Sequence, residues 1–326
     1  MKIFITGVSG MLGSHLSELL IKKRHKVVGV DNLVVGKKEN LKKIINDKNF
    51  KFIKYDIKRK SKINFFVKNC DAVVHLAAVK KVSEHQSSFK TLDVNVNPTR
   101  YILDAAKKYN KRVIFASTSD VYGISNKIPF KETGNLVYGQ SLAKRWAYAI
   151  SKLYCEHLCY CYHKDFNLDV IILRYFGGFS EKSSFTWSGG HIPVFIKQLL
   201  TNQKITIHGD GKQTRSMGHA HDLARGTYLA LLSKKANGKI FNIGNDEELS
   251  VIKSLKIIAN ELKIKLNKNM IKFIPEKDIY GNYKDLRRRN PDLSYSFKIL
   301  GYKPRIKFKR AIKLVINEYK KNLNKK

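Results

Sequence analysis

Short, nearly uninterrupted apolar runs recur through the first half of the chain, at Lys2–Thr6, Lys26–Val30, Phe50–Tyr55, Ala72–His75, Arg112–Ala116 and Asp169–Leu173. Stretches with helical spacing of apolar residues separate most of them, such as the one that runs through Leu20. A strand that faces water on one side alternates apolar and polar residues, whereas a strand covered on both faces is apolar throughout. Continuous runs alternating with helices therefore predict βαβ units and a doubly wound parallel sheet. The regular alternation stops near Arg174. A Gly/Ser-rich loop follows over Gly177–Gly190, then mixed helices and short strands, then a Lys-rich end. No internal repeat or low-complexity segment interrupts the pattern.

The first run leads into Thr6-Gly7-Val8-Ser9-Gly10-Met11-Leu12-Gly13, with glycines at three-residue intervals. A strand ending in such a turn lets backbone N–H groups approach a phosphate, and the following helix offers its positive N-terminus to the same anion. Gly7 suits the tight turn, Gly10 close approach of a pyrophosphate, and Gly13 close packing of helix on strand. The second run ends at Asp31, an acid about 20 residues on, placed for the adenosine ribose hydroxyls of NAD. Its charge also disfavours the 2′-phosphate of NADP. The predicted fold is α/β: a Rossmann-like doubly wound sheet over residues 1–173, with a smaller α+β substrate lobe over 174–326. Some segments of the lobe are free to return to the first domain.

A length of 326 residues and a hydrophobic content of 43% fit a globular protein with a sizeable core. No run is long enough to span a membrane, and the glycine pattern explains the apolar N-terminus better than a signal peptide does. The net charge of +37 is mostly lysine spread over the whole length, with one dense cluster at Arg287-Arg288-Arg289. That spread predicts a solvated basic surface that attracts anionic ligands, without specific nucleic-acid binding. Three of the four cysteines, Cys155, Cys159 and Cys161, lie close together. On a helix Cys155 and Cys159 share a face while Cys161 points elsewhere, so buried reduced thiols are expected and no metal set. A reducing cytoplasm fits that reading.

Candidate chemistry gathers at predicted strand ends. Asp56-Ile57 follows the third run, and Leu76-Ala77-Ala78 follows the fourth with small residues that let a cofactor lie close. Asn95 is a further polar candidate. The fifth run leads into Ser117-Thr118-Ser119-Asp120, hydroxyls placed for a reacting alcohol. Tyr148 and Lys152 lie four apart, on one face of a helix. An ammonium nearby favours phenolate and pulls the tyrosine toward the working range of a general base.

The glycine turn, the Ser/Thr strand end and Tyr-x-x-x-Lys, in this order, resemble the extended short-chain dehydrogenase/reductases, and within them the nucleotide-sugar epimerases and dehydratases. The resemblance spans nearly the whole chain. It implies NAD contacts at Gly7, Gly10, Met11, Leu12, Gly13, Asp31, Asn32, Asp56, Ile57, Leu76, Ala77, Ala78, Lys80 and Asn95, with Tyr148 and Lys152. It implies a catalytic set of Thr118, Tyr148 and Lys152, and substrate contacts at Thr118, Ser119 and Asp120. The segment His208–Arg215 resembles the one whose arginine binds the nucleotide diphosphate, and Arg288 or Arg289 is expected to add a second contact. Family members pair two long helices into a dimer, so a homodimer is expected.

Three departures bear on the reaction. Gly177 stands where the family has Asn, Arg215-Ser216-Met217 replaces Arg-Asp-aromatic, and Thr118-Ser119-Asp120 replaces the Thr-Asp-Glu of 4,6-dehydratases. UDP-glucuronate decarboxylases often have Glu where Asp120 stands. Gly177 is expected to enlarge the sugar side of the cleft, and the Asp120 charge to repel a sugar carboxylate. Both favour a neutral sugar that turns over after oxidation. The expected activity is NAD-dependent 4-epimerisation of a UDP-sugar through a 4-ketone. Decarboxylation of UDP-glucuronate, or another 4-keto-forming nucleotide-sugar dehydratase or reductase activity, is the enzymatic alternative, and an NAD-sensing module the non-enzymatic one.

Overall fold

The computed structural model describes residues 1–80, 87–187, 190–280 and 286–323. Its centre is a sheet of β1 (Lys2–Thr6), β2 (Lys26–Asp31), β3 (Phe50–Lys54), β4 (Ala72–His75), β5 (Arg112–Thr118) and β6 (Val170–Tyr175). A seventh strand joins from the later half. Every pairing is parallel, and the order 3-2-1-4-5-6 reverses between β1 and β4. Ligands of such sheets sit outside the strands' carboxyl ends at that reversal.

The apolar runs are continuous because each strand feeds two cores. Ile3, Ile5, Ala72, Val74, Ile114, Ile171 and Leu173 point to one side, where α1 (Met11–Lys22) covers them. Phe4, Val73, Val113, Phe115, Val170 and Ile172 point to the other. There they meet α2 (Ile63–Lys68), α3 (Ser88–Tyr109) and α4 (Trp146–Phe166). Each large apolar side chain so buried contributes about 1.5–3 kcal/mol. Ser87 caps α3 by accepting from Lys90 N, and α3 and α4 end at Asn110 and Asn167, both left-handed.

After β6 the chain makes β7 (Gly178–Phe179), α5 (His191–Leu200), β8 (Ile205–His208), β9 (Thr214–Ser216), β10 (Gly218–His219) and α6 (Ala220–Leu232). Then come β11 (Ile240–Ile243), β12 (Glu248–Ser250), α7 (Val251–Leu262) and β13 (Ile271–Ile274). β11 is the seventh strand of the central sheet, pairing with β6, and α6 joins α1 over the first core. The remainder forms a third core of Phe179, Ile192, Phe195, Leu255, Phe308 and Ile312. Small pairs β8–β13, β9–β12 and β7–β10 frame it beyond the carboxyl ends of the large sheet.

Candidate functional site

The glycine turn is built as its spacing implies. Gly7 has φ of +72°, and a Cβ there would lie 2.9 Å from Ala77 N and Cα. A Cβ on Gly13 would fall 2.3 Å from Gly7 O. At both positions backbone meets backbone, so a side chain has no room. Gly10 differs: a Cβ would meet only Gly7 O, at 3.2 Å, with open space beyond. Gly10 begins α1 with no side-chain cap and no acid in the first turn. The N–H groups of Met11, Leu12 and Gly13 thus begin the helix without intrahelical acceptors, next to the open side of Gly10, as an anion at a helix start requires.

Asp31 ends β2 beside this space. Its carboxylate accepts from Ser9 N at 3.0 Å and Leu33 N at 2.8 Å. Burial raises its pKa, and these two N–H groups oppose the rise. Asn32 reaches Asp56 at 3.4 Å, while Asp56 also accepts from Lys58 N; Ile57 is buried next to it. Leu76 N and Ala77 N are fixed to Thr6, and Ala78 continues that strand end. Asn95 is committed inside the protein: its oxygen accepts from Val79 N at 2.8 Å, and its amide donates to Val79 O and Ser151 Oγ. It fixes the Val79 backbone, with no free amide left over.

Thr118, at the end of β5, lies beside the Tyr148 phenol, and its Oγ1 accepts from Asp120 N. Ser119 is buried beside them. The expected lysine–tyrosine partnership is absent in this structure. Lys152 Nζ donates to Ala116 O at 2.8 Å and stands over the Phe115 ring. Its pKa falls to about 8, mainly through burial, with Cys155, Cys159 and Glu156 opposing. The Tyr148 phenol is pushed above its ordinary value, by burial first and then by the Asp120 charge. A buried ammonium takes the nearest strong acceptor, here a strand carbonyl. The tyrosine phenol is therefore kept protonated before any ligand contributes.

Asp120 lies in a cation-rich cluster. Arg289 Nη1 donates to its Oδ1, Arg145 Nη2 stands 3.8 Å away, and Lys80 adds a third positive neighbour. Burial would raise its pKa, but Arg289, Arg145 and Lys80 outweigh that and hold it at about 2. One carboxylate among three cations leaves a net positive environment. This overturns the expectation that Asp120 repels a sugar carboxylate. Arg145 was not singled out from the sequence, although its place three residues before Tyr148 puts both on one helix side.

The arginine triplet divides. Arg288 is exposed and makes two 2.8 Å bonds to Glu248, whereas Arg289 is largely buried and reaches Asp120. Arg215 donates to Thr214 O and Leu286 O and lies near His191, at the uncapped start of α5. The expected enlargement at Gly177 is also corrected. A Cβ there would sit 2.3 Å from Met217 Sδ, so the thioether fills the space of the missing side chain. Below the cleft, Arg174 and Glu156 form a buried bidentate pair that ties β6 to α4.

The family model for the NAD dependent epimerase/dehydratase family matches residues 3–244. UDP-N-acetyl-alpha-D-glucosaminuronate decarboxylase of Bacillus cytotoxicus is 33% identical over 322 residues, 98% of each chain. UDP-glucuronic acid decarboxylase 2 of Arabidopsis thaliana is 28% identical over 99% of this chain and 69% of its own. Among solved structures, the UDP-glucuronic acid 4-epimerase of Bacillus cereus, in complex with UDP-glucuronic acid and NAD, superposes with a TM-score of 0.88. That match has 28% identity and covers 99% of this chain and 100% of the other. With the glycine turn, Asp31 and the Thr118–Tyr148 pair arranged at the sheet's reversal, this chain belongs to the NAD dependent epimerase/dehydratase family, an enzyme whose cofactor is NAD.

Proposed function

We propose that the chain oxidises a UDP-linked uronate at C4 and releases the sugar carboxyl as CO₂. The observation that carries this reading is Asp120 held among Arg289, Arg145 and Lys80 beside Tyr148 and Thr118. A surplus of positive charge next to the reacting hydroxyl suits a substrate that brings its own carboxylate. The two arguments for a neutral sugar fail together, because Asp120 is neutralised and Met217 closes the space at Gly177. The Bacillus cytotoxicus relative, named a uronate decarboxylase, supports the same substrate class.

In this reading Thr118 holds the 4-hydroxyl and Tyr148 takes its proton. Lys152 leaves Ala116 O to hold the nicotinamide ribose and favour the phenolate. NAD would supply hydride acceptance at C4 and, once CO₂ has left and C5 is protonated, hydride return to the C4 ketone, so that the cofactor ends oxidised and the product is a pentose. The resulting 4-ketone is a β-keto acid. Its C5–C6 bond breaks with the electron pair moving to C5 and the ketone oxygen, CO₂ departs, and C5 takes up a proton. Arg289 and Arg145 would bring the carboxylate in. The UDP diphosphate is assigned to Arg215 and the start of α5. A homodimer through α3 and α4 belongs to the same proposal.

The same cations favour a second reading, in which they hold the carboxylate firmly and C4 is inverted instead. Product NMR with UDP-glucuronate, its N-acetylated 2-amino counterpart and UDP-glucose separates the cases. CO₂ and a pentose product support decarboxylation, and inverted C4 with the carboxyl retained supports the second reading. Turnover of UDP-glucose alone would refute both.

A further inference from the structure

Away from the cleft, histidines and carboxylates from three segments meet where α1, the turn after β7 and the start of α6 come together. His15 lies on α1 with its side chain fully buried, and neither ring nitrogen has a hydrogen-bond partner among the described residues. Its Nε2 faces Glu181 Oε1 at 3.6 Å, too far for a hydrogen bond. His219 faces the other oxygen of Glu181, also at 3.6 Å, and its Nδ1 accepts from His221 N, which fixes its ring. The rings of His15 and His221 are edge to face with centroids 4.5 Å apart. One ligand atom each from His15, Glu18 and His221 lie within 4.8 Å of one another.

We propose that His15, Glu18 and His221 bind a divalent transition-metal ion, of the zinc or cobalt class, that staples α1 to α6. Two imidazoles and a carboxylate are a donor set these ions favour over calcium or magnesium. Bonds of about 2.1 Å give ligand–ligand edges of about 3.4 Å. His221 is exposed, and the three ligand atoms, now within 4.8 Å, need to close by at most about 1.4 Å to reach that spacing. Metal-bound histidines usually present their second ring N–H to a carboxylate, and Glu181 is placed to receive it from His15. Lys182 Nζ lies 2.5 Å from Glu18 and close to His15, so it competes with the ion for the carboxylate. The expected consequence is a site that binds more tightly once that ammonium is removed.

The test uses NAD-loaded protein stripped of metal with a chelator, then titrated with Zn²⁺ or Co²⁺ alone. The expected result is one equivalent per chain, with visible Co²⁺ bands of low-coordinate N/O ligation. Affinity should fall at least tenfold in His221→Ala and Glu18→Gln and rise in Lys182→Met. Cys161→Ser, which removes an exposed thiol, should leave it unchanged. His221→Ala lies on the surface, and a melting curve equal to that of the metal-free parent will show that it folds. No saturable binding in the parent, or binding of equal strength in His221→Ala, would overturn the site.

Discussion

Lys152 shows how one residue ties stability to chemistry. Its ammonium is buried against Ala116 O with a pKa of about 8, against 10.5 when exposed. Between those values the unfolded chain holds a proton that the folded chain gives up, so folding gains stability as pH rises through the window. Below pH 8 the buried charge weighs against the native state. Lys152→Met should therefore gain on the parent at pH 7, by up to about 3 kcal/mol at 1.36 kcal/mol per pH unit. The advantage should shrink toward pH 10.5, as urea unfolding at several pH values would show, and a gap independent of pH would exclude Lys152 as its source. The variant should also lose activity, because Tyr148 would have no cation to favour its phenolate. Arg145 calls for a different readout. If it receives a substrate carboxylate, Arg145→Met should raise KM for UDP-glucuronate about tenfold or more, roughly 1.4 kcal/mol, with little change in NAD affinity. An unchanged KM would remove Arg145 from the substrate's reach.

At the scale of elements, the turn between β1 and α1 separates folding from binding. Gly13→Ala drives a Cβ into Gly7 O and should lower the melting temperature even without ligand. Gly10→Ala meets only one atom at 3.2 Å, keeps φ at −70° and should melt almost normally while losing NAD affinity. Calorimetry with an NAD titration checks both, and equal behaviour of the two variants would contradict the division. This turn was readable because its parts adjoin in the chain, as were β1 to β6, whose two-sided burial leaves unbroken apolar runs. β11 was not readable. It is four residues long and contains Asn242, whose buried amide donates to Phe130 O and Asp292 O and whose oxygen accepts from Tyr122. A polar residue satisfied by distant loops hides a buried strand from pattern reading. The same distance explains the failures at the site. Met217 fills the space at Gly177 from 40 positions on, and Arg289 reaches Asp120 across 169. The sequence displays such residues but not their meeting.

Over the whole molecule, the net charge of +37 and the apolar helix faces pull in opposite directions. No described helix is long and apolar enough to cross a membrane. α3 nevertheless exposes Phe89 and Leu92, and α4 exposes Ile150, Tyr154, Tyr160 and Phe166. The two helices pack against each other on the same side of the sheet. Scattered exposed apolar residues are ordinary, but this many on two adjacent helices suit a surface covered by a second copy. The basic charge opposes that pairing, and salt screens it over about 10 Å at 0.1 M. Dimerisation should therefore strengthen as salt rises, whereas any association with DNA should weaken steeply, because phosphate contacts release counterions. Light scattering at micromolar concentration should give twice the chain mass at physiological salt and a lower mean at low salt. Ile150→Asp, which places a charge on the exposed face of α4, should shift the protein to monomer with its fold intact. A monomeric parent at every salt concentration would refute the pairing and leave these helix faces solvent-exposed.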